Sequence, residues 1–474
     1  MYFMEKDKKV TPKEKEEIFI KRTQEKYPAV WQHYTKHISH ELMSKEELAE
    51  YNFEQRKAIV KYAYENTKFY RDLYDKAGFN PDDLKTEEDW NKVPVINKQM
   101  VRENMDGIIV GGPKGELASK YGKQLYTGGS TGRPLPIVRD MRNEQAGSTL
   151  WRSRGWWEGR PKGEITGPNP VLGQNEGIIW RMRGVNVKNA DEREKEKAIY
   201  YPMRKYYLDA QEMTPEVMEN FVEEAQEDGV TYLRGYAGAV VEFAQYCKDH
   251  NLSLSPHSVS VVSNPIDQLQ RRIIKEAFNC DVYDIYGSKE CQNMAHECPH
   301  SENHLHVLSD LRHIDILNDN KMPVAGEEEG TVYVTSFTNY IMPLIRYSLG
   351  DRTHWITEPC KCGLPFPLIH RILGRESNVI LDKNGYQIHA PSSHVYIEAE
   401  SILGYQFVVH DKGVITIKLI PNKENPEYQK GIDNIKKYYT EQYAGRVDFD
   451  FEIVDSIPHD GGKLRFIVYD KPIN

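Results

Sequence analysis

Long apolar runs are missing from this sequence of 474 residues: no stretch of about 18 apolar residues occurs in it. Its N-terminus, MYFMEKDKKVTPKEKEE, has neither an apolar h-region nor a small-residue cleavage site. A membrane span and a secretory signal are therefore not expected; a soluble, cytoplasmic protein without a membrane partner is. Cysteine is scarce, at 6 residues, which excludes a disulfide scaffold and leaves thiols in a reducing compartment. A basic excess is missing too. With 62 Lys and Arg against 71 Asp and Glu, the chain offers no field for nucleic acid to bind by counterion release. Internal repeats and low-complexity tracts are also absent from the sequence. What remains is a chain about three times a typical domain, with small molecules as the expected partners.

Its organisation follows from periodicity. Between Phe53 and Gly78, the apolar positions Ile59, Tyr62, Ala63, Phe69, Tyr70 and Leu73 recur at helical spacing and Gly78 supplies a stop, predicting one amphipathic helix. From Thr214 to Tyr286 strand and helix patterns alternate. Thr214 caps a helix that begins at Pro215 and ends at Gly229. Strands are predicted at Val230, at Val259 to Val262 and at Asp281 to Tyr286, with helices from Tyr236 to His250 and from Ile266 to Phe278 between them. This alternation predicts an α/β fold in which helices cover a parallel sheet. Ligands of such sheets sit beyond the carboxyl ends of the strands, here at Ser263, Asn264 and Pro265 and at Tyr286 to Glu290. After Arg375 the pattern changes: a hairpin (Tyr405 to His410, Val414 to Ile420), a helix from Pro426 to Tyr443, and strands at Val447 to Val454 and Leu464 to Tyr469. Residues 1–375 are expected to form a large domain with an N-terminal helical segment, and residues 376–474 a small mobile α+β domain.

The segment Thr127, Gly128, Gly129, Ser130, Thr131, Gly132, Arg133 and Pro134 has no large side chain before its arginine. Several backbone N–H groups could turn toward phosphate oxygens there, with hydroxyls adding donors and Arg133 adding charge. It is not a Walker loop, and an ordinary surface loop is the alternative. Four further segments follow in order: VYDIYGSKE (Val282 to Glu290), PLIRYSLGD (Pro343 to Asp351), ILGRESN (Ile372 to Asn378) and PHDGGK (Pro458 to Lys463). Together with the glycine-rich segment they resemble the motifs of the adenylate-forming superfamily, which includes acyl-CoA synthetases and adenylation domains. Arg133 stands where that superfamily usually has lysine, and Ser377 and Asn378 stand where its hinge has aspartates.

The resemblance implies the chemistry. ATP and a carboxylic acid give an acyl-AMP and pyrophosphate, and the acyl group then passes to an acceptor, CoA being the expected co-substrate. On this pattern Tyr286 stacks on adenine, with a buried core tyrosine as the alternative. Glu290 holds Mg²⁺, and Asp351 accepts the ribose hydroxyls. Arg375 reaches the ribose and phosphate side. Gly287, Ser288 and Lys289 complete the nucleotide wall, Ser377 marks the hinge, and Lys463 brings its ammonium to the α-phosphate. A solvated Glu290, a turn Asp351 and an exposed Lys463 are the bland readings of those three. Competing functions are AMP or acyl transfer to a hydroxyl, an amine or a carrier protein, or a catalytically silent nucleotide-binding scaffold.

KFYRDLYDKAG (Lys68 to Gly78), EEDWNKVPVINK (Glu87 to Lys98), LHV at Leu305 and the basic Lys289 resemble the phenylacetate-CoA ligase and CapK-like branch. Within that branch Cys298, His306, Cys360 and Cys362 would supply a structural zinc set stapling residues of about 291–362, with His300 and His304 as competing ligands and reduced core thiols as the alternative. Cys291 is a bystander. The run SRGWWEGR (Ser153 to Arg160) reads equally as pocket lining or as core, while Glu5 to Lys21 and Asp191 to Lys197 read as solvated faces. A homodimer is compatible with all of this.

Overall fold

Two reciprocal caps start the helices of the N-terminal third. Thr11 with Glu14 caps Pro12–Lys26, and Ser44 with Glu47 caps Lys45–Asn66; each pair satisfies two N–H groups that the first helical turn leaves open. The computed structural model describes residues 10–126, 135–143, 145–180, 202–210, 212–263, 265–266, 268–301, 303–375, 380–385, 387–388, 401–457 and 467–470. The helix expected from Phe53 to Gly78 is two helices, Lys45–Asn66 and Lys68–Ala77. Thr67 is extended (φ −127, ψ 139) and caps the second with its hydroxyl, and Gly78 ends it at φ 65. Helix Pro12–Lys26 carries no marked apolar stripe, whereas Pro28–Ser39 has one in Trp31, Tyr34 and Ile38 that the sequence reading passed over. Within the first, Glu16 is buried rather than solvated, because its carboxylate accepts the N–H groups of Val171 (2.9 Å) and Leu172 (3.2 Å).

Strands, in chain order, are β1 (Gly122–Tyr126), β2 (Pro136–Asp140), β3 (Glu176–Trp180), β4 (Lys205–Asp209), β5 (Tyr232–Tyr236), β6 (Ser258–Val262), β7 (Asp281–Ser288), β8 (Gln292–His296), β9 (His304–Val307), β10 (Arg312–Leu317), β11 (Gly330–Ser336), β12 (Tyr347–Thr353), β13 (Trp355–Ile356), β14 (Leu368–His370) and β15 (Gly374–Arg375). The main sheet runs β13-β14-β9-β8-β7-β6-β5-β3-β4. From β5 through β7 it is parallel, as the alternation predicts, and β3 and β4, which that alternation did not include, extend the parallel part. Beyond β7 it becomes antiparallel, so the sheet is mixed. The turn Lys289–Cys291 is too short for a crossover, and β8 can only double back.

Helices Pro215–Glu227, Ala237–Asp249 and Gln268–Phe278 cover the parallel half, burying Phe221, Val240, Phe243 and Phe278 against Leu233 and Val259. Each such side chain contributes about 1.5–3 kcal/mol. A second, antiparallel sheet, β10-β11-β12-β15, packs Ile314, Val334 and Tyr347 in one cluster with Tyr70 and Tyr74. There the Tyr70 hydroxyl donates to the Pro343 carbonyl (3.1 Å) and accepts the Ile345 N–H (3.0 Å).

The C-terminal region has its own sheet. After the short pair β16 (Ile380–Leu381) and β17 (Gln387–Ile388), the hairpin β18 (Ile402–Asp411) and β19 (Val414–Pro421) is flanked in parallel by β20 (Asp448–Ile453) and β21 (Ile467–Tyr469). Helix Tyr428–Gln442 buries Ile432, Ile435 and Tyr439 in the same cluster as Phe407 and Ile417. Among the described residues, Arg375 is the last paired in the large region's sheet, with Asp351, and Leu381, whose carbonyl accepts the Gly413 N–H (2.7 Å), is bonded to the C-terminal region. Among the described residues no helix is long and apolar enough to cross a membrane.

Candidate active site

The turn between β7 and β8 is the centre of the site, and backbone sterics shape it. A Cβ on Gly287 would lie 2.8 Å from the Gln292 carbonyl oxygen, and the ladder slips register between Tyr286 and Gly287. Glycine therefore lets β8 return through a bulge. At the end of neighbouring β6, Ser263 holds φ 84, a left-handed conformation that a non-glycine residue adopts only where its surroundings enforce it. Pro265 follows two residues on.

Strands of both sheets converge here. The Tyr286 hydroxyl donates to Asp351 Oδ2 at 2.8 Å, with both residues buried. Asp351 follows Gly350 (φ 71) on β12 and is in register with Arg375 on β15. Glu290, half-buried at the turn, meets Tyr347: burial raises that phenol, and the charge and hydrogen bond of Glu290 raise it further. Ser288 Oγ accepts the Cys291 N–H at 3.0 Å and closes the turn. Burial pushes the Cys291 thiol up to about 12, which leaves it inert.

Arg346 supports this arrangement from behind, a role the sequence reading missed. It sits at φ 45 with 1% exposure, and its guanidinium donates to the carbonyls of Trp90 (3.1 Å), Asn91 (3.2 Å) and Val93 (2.7 Å). Ile96 then bonds on both sides of Tyr347, donating to Arg346 (3.0 Å) and accepting from Ser348 (2.8 Å). The segment EEDWNKVPVINK thus straps the start of β12 and holds Tyr347 toward Glu290. Motif matching reaches Arg346 but cannot show which carbonyls it binds.

Thr127 to Pro134, Asn264, Ser377 and Lys463 lie outside the described residues, as does the side chain of Arg375. The strands flanking the glycine-rich segment pair antiparallel, Gly122↔Asp140 through Tyr126↔Pro136. Lys289 Nζ donates to the Tyr126 carbonyl at 2.9 Å, and Arg139 Nη2 donates to the Lys289 carbonyl at 3.1 Å.

Asp284 lies two residues before Tyr286 on β7 and is buried beside Glu297, which accepts the Asp284 N–H (2.7 Å) and an Arg271 N–H (2.6 Å). Burial, and then the charge of Glu297, push the Asp284 carboxyl up to about 7. An unfolded aspartate titrates near ~3.9. Between these values the folded protein binds more protons than the unfolded one, so this group's contribution to stability falls as pH rises through the window. Melting temperatures measured from pH 5 to pH 8 are expected to show that decline, and Asp284→Asn is expected to flatten it; an equal slope in the variant would refute the assignment.

The structure brings Cys298, after β8, together with His306 on β9 and with Cys360 and Cys362 between β13 and β14. Their ligand atoms all lie within 4.8 Å of one another, while His300 and His304 fall outside this set. Cys298 Sγ is 3.5 Å from Cys360 Sγ, and Cys362 Sγ is 3.3 Å from His306 Nε2. A tetrahedral zinc with bonds of ~2.3 Å sets its sulfurs about 3.8 Å apart, so the donor set fits one. Hydrogen bonding among the thiols draws Cys360 down and raises Cys298.

The run SRGWWEGR is core. It lies largely in helix Ala146–Trp157, where Trp157 stacks on Tyr283 (centroids 4.5 Å apart) and Arg154 pairs with Glu176. Arg152 holds Asp310 through two contacts (2.7 and 3.2 Å), and the same carboxylate meets His37 Nδ1 (3.0 Å) and His40 Nδ1 (3.1 Å). A guanidinium occupies the place a cation would take, so this second cluster is an ion-pair hub.

No family model matches the chain. The chain is similar to the protein CapK of Staphylococcus aureus, 24% identical over 452 residues that span 92% of this chain and 93% of CapK. It is likewise similar to phenylacetate-coenzyme A ligases, at 24% identity over 79% of the chain and 81% of the Thermus thermophilus protein, and at 24% over 72% of the chain and 74% of the Escherichia coli protein. Among solved structures, 2-hydroxyisobutyryl-CoA ligase in its postadenylation state with R3-HIB-AMP superposes with a TM-score of 0.68, covering 89% of each chain at 16% identity. Its thioesterification state with 2-HIB-AMP and CoA superposes at 0.57, with 18% identity and 89% coverage of each chain.

Proposed function

We propose that this chain, a relative of CapK and the phenylacetate-CoA ligases with the fold of the adenylate-forming acyl-CoA ligases, is an ATP-dependent carboxylic acid ligase with CoA as acceptor. The observation that carries this reading is the meeting of Tyr286 with Asp351 at 2.8 Å, in register with Arg375 and beside the Glu290 turn. Three of the five motif segments, far apart in sequence, converge there.

In the first half-reaction a carboxylate oxygen of the acid attacks the α-phosphorus of ATP. An oxygen–phosphorus bond forms, the bond to the bridging oxygen breaks, and pyrophosphate leaves with the electron pair. The protein's task is to position the groups and to neutralise charge as it develops. The Tyr286 ring takes adenine, and Asp351 with Arg375 takes the ribose side. Ser263, Asn264, Pro265, Gly287 and Ser288 line the nucleotide, and Thr127 to Arg133 cradle its phosphates. Glu290 would hold Mg²⁺, which supplies charge neutralisation on the phosphate oxygens. Lys463 donates to the α-phosphate. In the second half-reaction the CoA thiol, giving up its proton, attacks the acyl carbonyl; a carbon–sulfur bond forms, the carbon–oxygen bond to the phosphate breaks, and AMP departs with that electron pair.

We place the large domain at 1–375 and the small one at 376–474, with Ser377 at the hinge. Departure from β12 at Arg375 and attachment to the C-terminal region at Leu381 support that placement. Closure of a small domain carrying Lys463 would also keep water from a labile acyl phosphate.

Cys298, His306, Cys360 and Cys362 would hold a structural zinc, three thiolates and one imidazole with no open position. It would pin the β8–β9 pair to the loop after β13 and take no part in the chemistry. Metal analysis is expected to find about one zinc per chain, and chelation or Cys360→Ser to lower the melting temperature as zinc is lost. A protein that contains no zinc yet melts unchanged after chelation would contradict the assignment.

The function itself is tested by acid-dependent exchange of labelled pyrophosphate into ATP across a panel of carboxylic acids. Exchange with at least one acid is the expected result. Its absence with every acid, despite measurable ATP binding, would overturn the reading.

A further inference from the structure

We propose that Lys289 and Arg139 form a cationic pair that binds the pyrophosphate portion of ATP, an assignment that rests on the adenylation reading above. Lys289 is exposed on the β7–β8 turn, one residue before Glu290, and its Nζ reaches the carbonyl of Tyr126 at 2.9 Å. Tyr126 is the last residue before the glycine-rich segment. Arg139 lies on the returning strand β2, and its Nη2 reaches the Lys289 carbonyl at 3.1 Å. Glu290 is the next residue along the chain from Lys289, whose carbonyl Arg139 Nη2 holds. Two cationic residues and the proposed magnesium-holding carboxylate are therefore neighbours at the β7–β8 turn.

Charge accounting gives that pair a task. Pyrophosphate departs carrying several negative charges, and Glu290 adds another beside it. One divalent ion on a single carboxylate leaves a net negative balance, and the glycine-rich segment contributes one cation, Arg133. In the structure the Lys289 ammonium rests on a neutral carbonyl. An ammonium bonded to a phosphate oxygen is the stronger, charge-assisted interaction, so the incoming nucleotide can displace Tyr126 as its partner. Arg139, with its planar fork, suits bidentate contact with the same group. A small residue in place of Lys289 would leave the pyrophosphate end with Arg139 alone among these two.

The competing account is a brace: both side chains only tie the β1–β2 hairpin to the motif turn. Lys289→Met and Arg139→Met keep much of the stem and remove the charge. The readouts are the KM for pyrophosphate and for ATP in the exchange reaction, set against thioester formation from preformed acyl-AMP and CoA, in which pyrophosphate takes no part. Each variant is expected to raise the pyrophosphate KM by about 10–100-fold, well beyond any loss in the thioester reaction, and Lys289→Arg is expected to restore most of it. An unchanged pyrophosphate KM, or equal losses in both half-reactions, would overturn the proposal. Where no acid supports exchange in the unaltered protein, the adenylation reading itself fails. Calorimetric binding of magnesium pyrophosphate then decides: weaker binding in both variants supports the pair, and equal binding rejects it.

Discussion

A Lys463→Ala protein is expected to lose acid-dependent pyrophosphate exchange by on the order of 10²–10³-fold while still forming thioester from preformed acyl-AMP and CoA. The argument is one of position and timing. Charge builds on the α-phosphate oxygens only as the carboxylate attacks, and a donor aimed at that point stabilises the transition state more than bound ATP. Thioester formation involves no such phosphorus centre, because its tetrahedral carbon lies on the acyl side. Single-turnover measurements of each half-reaction separate the two cases. Equal loss in both would assign Lys463 to general domain closure, and full retention of exchange would remove it from the site. ATP binding, measured alongside, should change far less than turnover.

The second large effect is on stability. Asp310→Ala is expected to destabilise the protein by about 3–5 kcal/mol, because it strands the Arg152 guanidinium in the interior. Both side chains of that pair are 0% exposed, and the carboxylate serves His37 and His40 as well. Arg152 also lies over Phe366 (4.8 Å to the ring centroid) and Trp156 (5.4 Å). The hub therefore joins helix Pro28–Ser39, helix Ala146–Trp157 and the connection from β9 to β10. A buried pair replaced on both sides by apolar groups is often close to neutral, so Asp310→Leu with Arg152→Met should recover a large part of the loss. Urea unfolding of the single and double variants measures the coupling. A loss in Asp310→Ala below about 1 kcal/mol, the range of exposed ion pairs, would show that the hub does not bear on stability.

How much of this was legible beforehand depended on the range over which each signal acts. Helix Pro215–Glu227 carries its start in Thr214, its apolar face in Met218, Phe221 and Val222, and its stop in Gly229, all within a few turns. The parallel strands β5, β6 and β7 and the C-terminal hairpin were equally local, whereas β3 and β4, which extend the parallel half, were not read. The cysteine set was legible for another reason: thiols are few, so their grouping stands out even though Cys298 and Cys360 are 62 positions apart. Other features had no local signature. His37 and Asp310 are 273 residues apart, and each alone reads as solvated. Arg346 sits inside a recognised motif, yet its partners Trp90, Asn91 and Val93 are over 250 positions away. Helix Pro12–Lys26 escaped notice because its apolar contacts are few and its buried Glu16 counts as polar. The switch from parallel to antiparallel pairing was written in the length of one turn, Lys289–Cys291, and alternation of helices and strands does not register such a length.

The short strand β15 carries a consequence of its own. Among the described residues Gly374–Arg375 is the last piece of the chain joined to β12, and its pairing partner Arg352 adjoins Asp351, which is itself opposite Arg375. The proposed joint between the domains is thus spliced onto the strand proposed to grip the ribose. On that proposal, occupancy of the grip and posture of the small domain would be coupled through one stretch of backbone. By reciprocity, any state of the small domain that tightens nucleotide binding is favoured by the nucleotide to the same degree. A protein built that way would need no separate messenger between pocket and lever, since a two-residue splice would serve as both.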